Sequence, residues 1–336
     1  MILVIRDGAV VASVPLEEYR DFEFRDGDHL EVVDETVACA VTFDGQVNVR
    51  LESGDTLRIP RTWKSYDFRG YRMPGHLLFL TGTDFGGFES AGRSHVANYK
   101  RFLSLSESHD VLEIGCGIGK DAIQLMSPRQ VYSYLGIDVM QDSIAWCTKN
   151  LTKSDPRFKF AHFDAYHELY NPLGSKKTTD FAIPCEDSSI DKVIVYSVFT
   201  HLFEDEVSHY LREIFRVLRP GGLVYASVFV YSDDVIASAR ELRRVHEQQY
   251  IWPKRTKHQP MTFEIEHSEG CYVDDARLRS GSVAYTRQAL DRMIRDSGLL
   301  LVGDYLPGNW SGHYKRPKDG AEVAILVKPD DVEMTP

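Results

Sequence analysis

No two of the five cysteines in this chain (Cys39, Cys116, Cys147, Cys185 and Cys271) form a C-x-x-C pair, and their number is odd. Neither a disulfide framework nor a zinc knuckle is indicated, and a reducing compartment fits. A long apolar run is also missing. The opening MILVIRDGAV reaches Arg6 and Asp7 after five residues, and no later stretch approaches the roughly 18 apolar residues of a membrane span. Basic excess is absent as well: 39 Lys and Arg against 50 Asp and Glu leave a formal charge of −11. A general affinity for phosphate backbones or anionic lipid would need a basic face, so neither is expected as a partner. The chain shows no internal repeat and no low-complexity tract, while 43% hydrophobic content over 336 residues suffices for one large domain and a smaller one. These absences point to a cytoplasmic protein whose partners are small or neutral, with assembly into a homo-oligomer left open.

What is present falls into blocks. Residues 1–65 carry short β-rich runs, among them ILVIRDG, AVVASV and TVACAVTFDGQVNVRLES, punctuated by Asp-Gly and Ser-Gly turns. This reads as a small all-β module. With 14 acidic against 8 basic residues up to position 70, its surface is expected to be solvated. A connecting segment, 66–92, leads into a helix on which Val96, Tyr99, Phe102 and Leu103 recur at helical spacing, and strand then alternates with helix from about residue 93 to 336. DVLEIG precedes a helix beginning near Lys120, YSYLGID precedes one over QDSIAWCTKNL, and DKVIVYS leads to a long helix that RPGG at 219–222 is expected to end. LVYASVFV is the next strand. Residues 231–285 interrupt the alternation as a lid or substrate insertion, with MTFEIEH as a candidate strand. TRQALDRMIRDSG, opened by Thr286 and closed by Gly298, and the strands LLLVGDYL and EVAILVK complete the chain. Such alternation implies an α/β fold with a mostly parallel sheet and helices on both faces, whose ligand site lies beyond the carboxyl ends of the strands.

The segment VLEIGCGIGKDA, 111–122, sets glycines at alternate positions directly after a strand. A nicotinamide fingerprint needs a third glycine where Lys120 stands, and a phosphate loop needs Ser or Thr where Asp121 stands, so an anionic pyrophosphate is not the natural guest. An acid precedes the loop, Glu113, and two more end the following strands, Asp138 in LGIDV and Asp164 in HFDAY. Carboxylates spaced this way suit ribose hydroxyls, an adenine amine and a cationic amino-acid tail. That combination describes S-adenosylmethionine.

At this point the sequence resembles the class I S-adenosylmethionine-dependent methyltransferases over residues 90–328. EIGCGIG, GIDV, FDA, VIVYSVFTHL and EIFRVLRPGGLVYASV match five motifs in order. The resemblance implies a Rossmann-like seven-stranded sheet whose last strand is antiparallel, and it assigns roles. Gly115, Cys116, Gly117, Ile118 and Gly119 would line the methionine and ribose, with Glu113 at the amino-acid end. Asp138 would take the ribose hydroxyls and Val139 would pack on the adenine. Asp164 would accept from the adenine amine, the backbone at Ala165 would meet a ring nitrogen, and Ser197 would lie beside the methionine portion.

Methyl transfer to an alcohol releases a proton, and a neutral histidine suits its capture. His201, in SVFTHL just past the fourth strand, is the candidate catalytic residue, with shaping of the loop as its bland alternative. His162 and His167 flank Asp164, but no set of three or four ligands appears, so no metal is expected. Two regions beyond the minimal fold could define the acceptor: 165–181, with Tyr166 and Tyr170, and 231–285, with Tyr250, Trp252, Tyr272, Asp274 and Asp275. Aromatic faces mixed with acids suit a polyhydroxylated ligand, or form the lid's own small core. The run Lys254, Arg255, Lys257 and His258 reads as a solvated loop. YNPLG, SVFTHL and GNWSG also look like a bacterial subgroup that modifies glycans and other secondary products, which gives O-methylation of a sugar or small-molecule hydroxyl as the leading expectation. N-methylation of an amine, an inactive binding module and a nicotinamide oxidoreductase are the rivals, the last disfavoured by Lys120.

Overall fold

The computed structural model describes residues 1–33, 37–42, 45–82, 84–126, 128–249 and 261–330. They form two compact units, the first made of Met1–Asn98 with Cys116–Lys177, the second of Tyr99–Gly115 with Thr178–Pro336.

The first unit begins with the β-rich sequence. β1 (Ile2–Arg6) turns through Asp7-Gly8, both at positive φ, into β2 (Ala9–Val14), and β3 (His29–Val32) pairs on the other edge of β1. Two central residues at positive φ match the right-handed twist of the strands they join, which is why Asp-Gly occurs there. β4 (Ala38–Val41), β5 (Val47–Arg50) and β6 (Thr56–Ile59) make a second antiparallel sheet, and β7 (Ser65–Phe68) pairs with β8 (Tyr71–Pro74). Ile2, Val4, Val14, Leu30, Val49, Leu57 and Ile59 are buried together as their shared core. The helix α1 (Gly75–Phe79) follows, and α2 (Phe85–Phe102) opens with Asp84 accepting from the Gly87 N–H at 2.7 Å.

All four residues of β6 are buried, which a strand with one solvated face would not show. Leu57 and Ile59 enter the module core. Thr56 and Arg58 face the opposite way, onto the later part of the same unit: the Thr56 N–H donates to the Gln141 side chain at 2.6 Å and the Arg58 N–H to the Asp142 carboxylate at 2.5 Å. That later part comprises α3 (Lys120–Met126), β10 (Ser133–Asp138), α4 (Gln141–Cys147) and β11 (Phe158–His162), with β10 and β11 parallel. The module surface over Thr56 and Arg58 is therefore an interior contact, where the acidic composition suggested solvent.

The second unit holds β9 (Asp110–Ile114), β12 (Ile190–Val195) and β13 (Leu218–Tyr231), which are parallel, with β18 (Glu322–Val327) antiparallel along β13. The antiparallel closing strand is the feature expected of the sheet, and β17 (Leu300–Leu301) pairs with it. The chain has a Rossmann-like α/β fold, a mixed sheet with helices, together with small N-terminal β-sheets. The long helix α5 (Glu204–Val217) buries Val207, Leu211 and Ile214, and it ends at Val217 because Leu218 is already extended at ψ 135°. RPGG thus lies within β13 rather than at the helix cap, a correction of a few residues. In the insertion, α6 (Asp233–Gln249) is followed by the hairpin β14 (Ile265–Ser268) and β15 (Cys271–Val273), and β16 (Val283–Thr286) runs parallel to the end of β13. Part of the expected lid is therefore additional sheet. α7 (Arg287–Asp296) starts where the Thr286 hydroxyl accepts from the Ala289 N–H, and Gly298 follows at positive φ.

Candidate active site

In the first unit the glycine loop and the acid of β10 meet. Gly117 and Gly119 hold φ of +51° and +72°, a region that side-chain-bearing residues rarely adopt, and this turns their backbone away from β-pairing. The Gly117 N–H donates to Asp138 Oδ2 at 2.7 Å and the Met140 N–H to Oδ1 at 2.8 Å. Asp138 is buried at 6% exposure. Burial pushes its carboxyl up to about 6 against the pull of the Met140, Gly117 and Val139 N–H groups. The Tyr170 phenol is raised to about 12, first by burial and then by the Asp138 charge. Cys116 and Ile118 are buried, and Cys116 packs where a Cβ on Gly136 would sit, so it fills space. The Cys147 thiol donates to the Gly117 carbonyl, and Thr81 lies in van der Waals reach of a Cβ built on Gly117. The half-buried Val139 accepts from His162 Nε2 through its carbonyl at 3.1 Å.

Asp164 has company that its motif did not reveal. Arg50 Nη2 donates to both of its oxygens, at 2.9 and 2.7 Å. Asn171 Nδ2 adds a bond at 3.2 Å, and Ser175 donates through its N–H at 3.2 Å and its hydroxyl at 2.6 Å. Burial raises this carboxyl, but Ser175, Arg50 and Asn171 outweigh it and hold it below the usual carboxylate range. The buried Ala165 donates to the Phe163 carbonyl and accepts from Asn171 Nδ2. Tyr166 is exposed, and His167 accepts from the Leu169 and Tyr170 N–H groups through Nδ1.

The second unit carries the other candidates. Glu113 is buried near the end of β9 at 4% exposure. Gly115, at φ +77°, has room for no side chain, since a Cβ would come within 2.3 Å of Val198. Ser197 is held at φ +56°, an unusual conformation for serine, by its N–H bond to Ser227 Oγ at 2.6 Å. His201 is half-buried, and Nδ1 lies 3.0 Å from the Ser280 carbonyl. A carbonyl can only accept, so Nδ1 carries the proton and Nε2, 3.5 Å from Ser197 Oγ, presents its lone pair. Burial lowers the His201 pKa, so the ring is neutral at pH 7.

The insertion candidates are more constrained. Tyr272 stacks on Tyr231 with ring centroids 3.8 Å apart and belongs to a small core with Ile236, Phe263 and Ala284. Asp274 accepts from the Thr262 and Phe263 N–H groups at 2.7 and 3.3 Å. Trp252, Tyr250 and the run Lys254, Arg255, Lys257 and His258 lie outside the described residues. Among the described residues no group of three His, Cys, Asp or Glu is arranged to hold a metal, and no helix is long and apolar enough to cross a membrane.

Residues 112–226 match a family model described as a methyltransferase domain, so the glycine loop, Asp138 and Asp164 all fall inside it. The chain carries a class I methyltransferase domain. Curated relatives align with parts of this chain. An arsenite methyltransferase of Aquipseudomonas alcaligenes is 33% identical over 144 residues, 42% of this chain and 38% of that protein. A Mycolicibacterium smegmatis protein named "Probable S-adenosylmethionine-dependent methyltransferase" is 29% identical over 137 residues, 40% of this chain and 44% of its own. Phthiotriol/phenolphthiotriol dimycocerosates methyltransferase 1 of Mycobacterium ulcerans is 29% identical over 143 residues, 42% of this chain and 46% of its own. The chain thus spans less than half the length of each. Arg50 lies ahead of the methyltransferase domain, and an arginine in the β-rich run VNVRLES carries no local signal that could have marked it.

Proposed function

We propose that this protein transfers a methyl group from S-adenosylmethionine to a hydroxyl of a small molecule, with a sugar or glycan as the acceptor to test first. The observation that carries the cofactor reading is the buried Asp138 carboxylate, locked by the Gly117 and Met140 N–H groups at the end of β10. A carboxylate so placed accepts from paired hydroxyls, and the glycine backbone beside it admits a ligand that a side chain would block. Glu113, Gly115 and Ser197 are the proposed contacts of the amino-acid portion, and Val139 and Ala165 those at the adenine end.

When bound, S-adenosylmethionine supplies an electrophilic methyl whose departure leaves a neutral thioether. The chain's task is then to align the acceptor, exclude water and receive one proton. His201 Nε2 is the proposed proton acceptor, since its tautomer is set by the Ser280 carbonyl and burial keeps it neutral. This favours a hydroxyl over an amine, which needs less help from a base. The test is titration with S-adenosylmethionine, S-adenosylhomocysteine and NAD, followed by transfer of labelled methyl to a panel of sugars and amines. Binding of the adenosyl ligands without NAD supports the reading, and binding of NAD alone overturns it.

A second reading gives the β-module a binding role of its own. It is favoured by a cleft of about 490 Å³ walled by Tyr19, Phe22, Phe24, Trp63 and Trp146. Aromatic walls of this kind suit the apolar face of a saccharide.

A further inference from the structure

The β5–β6 hairpin reaches out of the N-terminal sheet with two arginines, and both end on one segment, the arm 165–176 that follows β11. Arg50 takes the arm at both ends. Its Nη2 bridges the two oxygens of Asp164 at the entry, while its Nε donates to the Leu173 carbonyl at 2.9 Å near the exit. Arg58, 5% exposed, takes the middle, donating to the Leu169 and Tyr170 carbonyls at 3.2 and 3.4 Å. Within the arm, Tyr166 donates to the Lys176 carbonyl at 2.8 Å and Lys176 to the Asp164 carbonyl at 3.1 Å, so its shape is closed on the residue Arg50 holds.

Asp164 offers about four lone-pair positions and already receives five donor contacts from Arg50, Asn171 and Ser175. An adenine amine could bond it only by displacing one of them. The carboxylate therefore acts on the arm, and the arm in turn carries Ala165, the proposed contact at the adenine end. Arg50 is well suited to this part: its planar fork meets a carboxylate and a carbonyl at once, and it stays charged. Its side chain is only 22% exposed and that of Asp164 only 20%, so water screens the pair less than it would a surface bridge.

We infer that the β5–β6 hairpin is a built-in wall of the cofactor site, and that Arg50 is a positioning residue which clamps Asp164 and Leu173 to hold the arm in its ligand-receiving shape. The inference rests on the cofactor reading above. Its thermodynamic content is linkage: whatever loosens the clamp weakens the cofactor, and bound cofactor stabilises the docked hairpin to the same degree.

The test is calorimetric titration of the full chain with S-adenosylhomocysteine for wild type, Arg50→Ala, Arg50→Lys, Asp164→Asn and the Arg50→Ala/Asp164→Asn pair. The clamp predicts that Arg50→Ala raises Kd about tenfold or more and that Arg50→Lys recovers part of the loss. The double variant should be no worse than the poorer single variant, because both remove one interaction. With a methyl acceptor in hand, KM for S-adenosylmethionine should rise while kcat stays near wild type, a split that general destabilisation would not produce. A Kd for Arg50→Ala within twofold of wild type overturns the clamp alone. Absence of binding by wild type overturns the cofactor reading and the clamp with it. If Arg50→Ala does not fold, Asp164→Asn, nearly isosteric, decides by the same twofold criterion.

Discussion

Asp138→Asn would probe the centre of the proposed cofactor site. In the wild type both carboxylate oxygens accept backbone N–H groups, from Gly117 at 2.7 Å and Met140 at 2.8 Å. Asparagine keeps one acceptor and turns its NH₂ toward the other N–H, so one buried donor loses its partner at a cost of about 1–3 kcal/mol. The ribose hydroxyls would also lose an ionised acceptor, worth about 1.5–3 kcal/mol, or roughly a ten- to hundredfold rise in Kd. Acid should mimic part of this in the wild type. The Asp138 pKa rises from 3.8 to about 6 because burial opposes its charge. A folded value above the unfolded one means that this group's contribution to stability is fully present below about pH 4 and is lost as the pH rises through about 6. The shift amounts to about 3 kcal/mol. Relative to the asparagine variant, the wild type should therefore gain stability on acidification from pH 7 to 4. Its affinity for S-adenosylhomocysteine should move the other way, falling up to about tenfold per pH unit below 6 as the acceptor gains a proton. Titration calorimetry and urea melts at matched pH values give both curves. A wild-type Kd that is flat from pH 5 to 8, or an Asp138→Asn Kd within twofold of wild type, would refute the assignment of Asp138 to the ribose.

Other outcomes follow from the same geometry. His201→Ala should lower turnover of a hydroxyl acceptor by about 10²–10⁴-fold with little change in cofactor Kd, and an unchanged rate would remove the general base. Because burial depresses the His201 pKa, the wild-type rate should rise with pH through a value below 6.5 and then level off. The same depressed value means that its share of stability is present above pH 6.5 and lost as the pH falls through the folded pKa. Gly119→Ala places a Cβ 2.7 Å from Leu151 and 3.3 Å from the Cys147 sulfur at φ +72°, so a loss of about 2 kcal/mol is expected in urea melts. His95→Ala removes the bond between its ring nitrogen and the buried Asp121 carboxylate, 3.0 Å away, which should cost about 1.5–3 kcal/mol by the same assay.

Much of the domain was legible because its signals are local. Alternation of β-branched runs with amphipathic helices fixes element type residue by residue, and Thr286, Gly298 and the closing strand at 322–327 lie where periodicity and capping put them. The glycine loop and Asp138 could also be read together, since a strand–turn–helix unit delivers its loop and the next strand end to one sheet edge whatever the rest of the chain does.

The insertion was less legible. A short apolar run such as MTFEIEH does not say what it pairs with, and only the neighbours show that β15 and β16 extend the edge of β13, that Tyr272 stacks on Tyr231 and that Asp274 is spent on backbone N–H groups. The same holds for the β-module. Its composition established small strands and an acidic surface, yet the burial of Thr56 and Arg58 depends on which surface lies opposite β6. Arg50 and Asp164 stand 114 positions apart, and their pairing exists only because two separately encoded elements are brought face to face. Local pattern can mark a carboxylate at a strand end. Whether that carboxylate waits for a ligand or holds an arginine is decided by packing, because the desolvation and hydrogen bonds that settle it come from residues with no fixed distance along the chain.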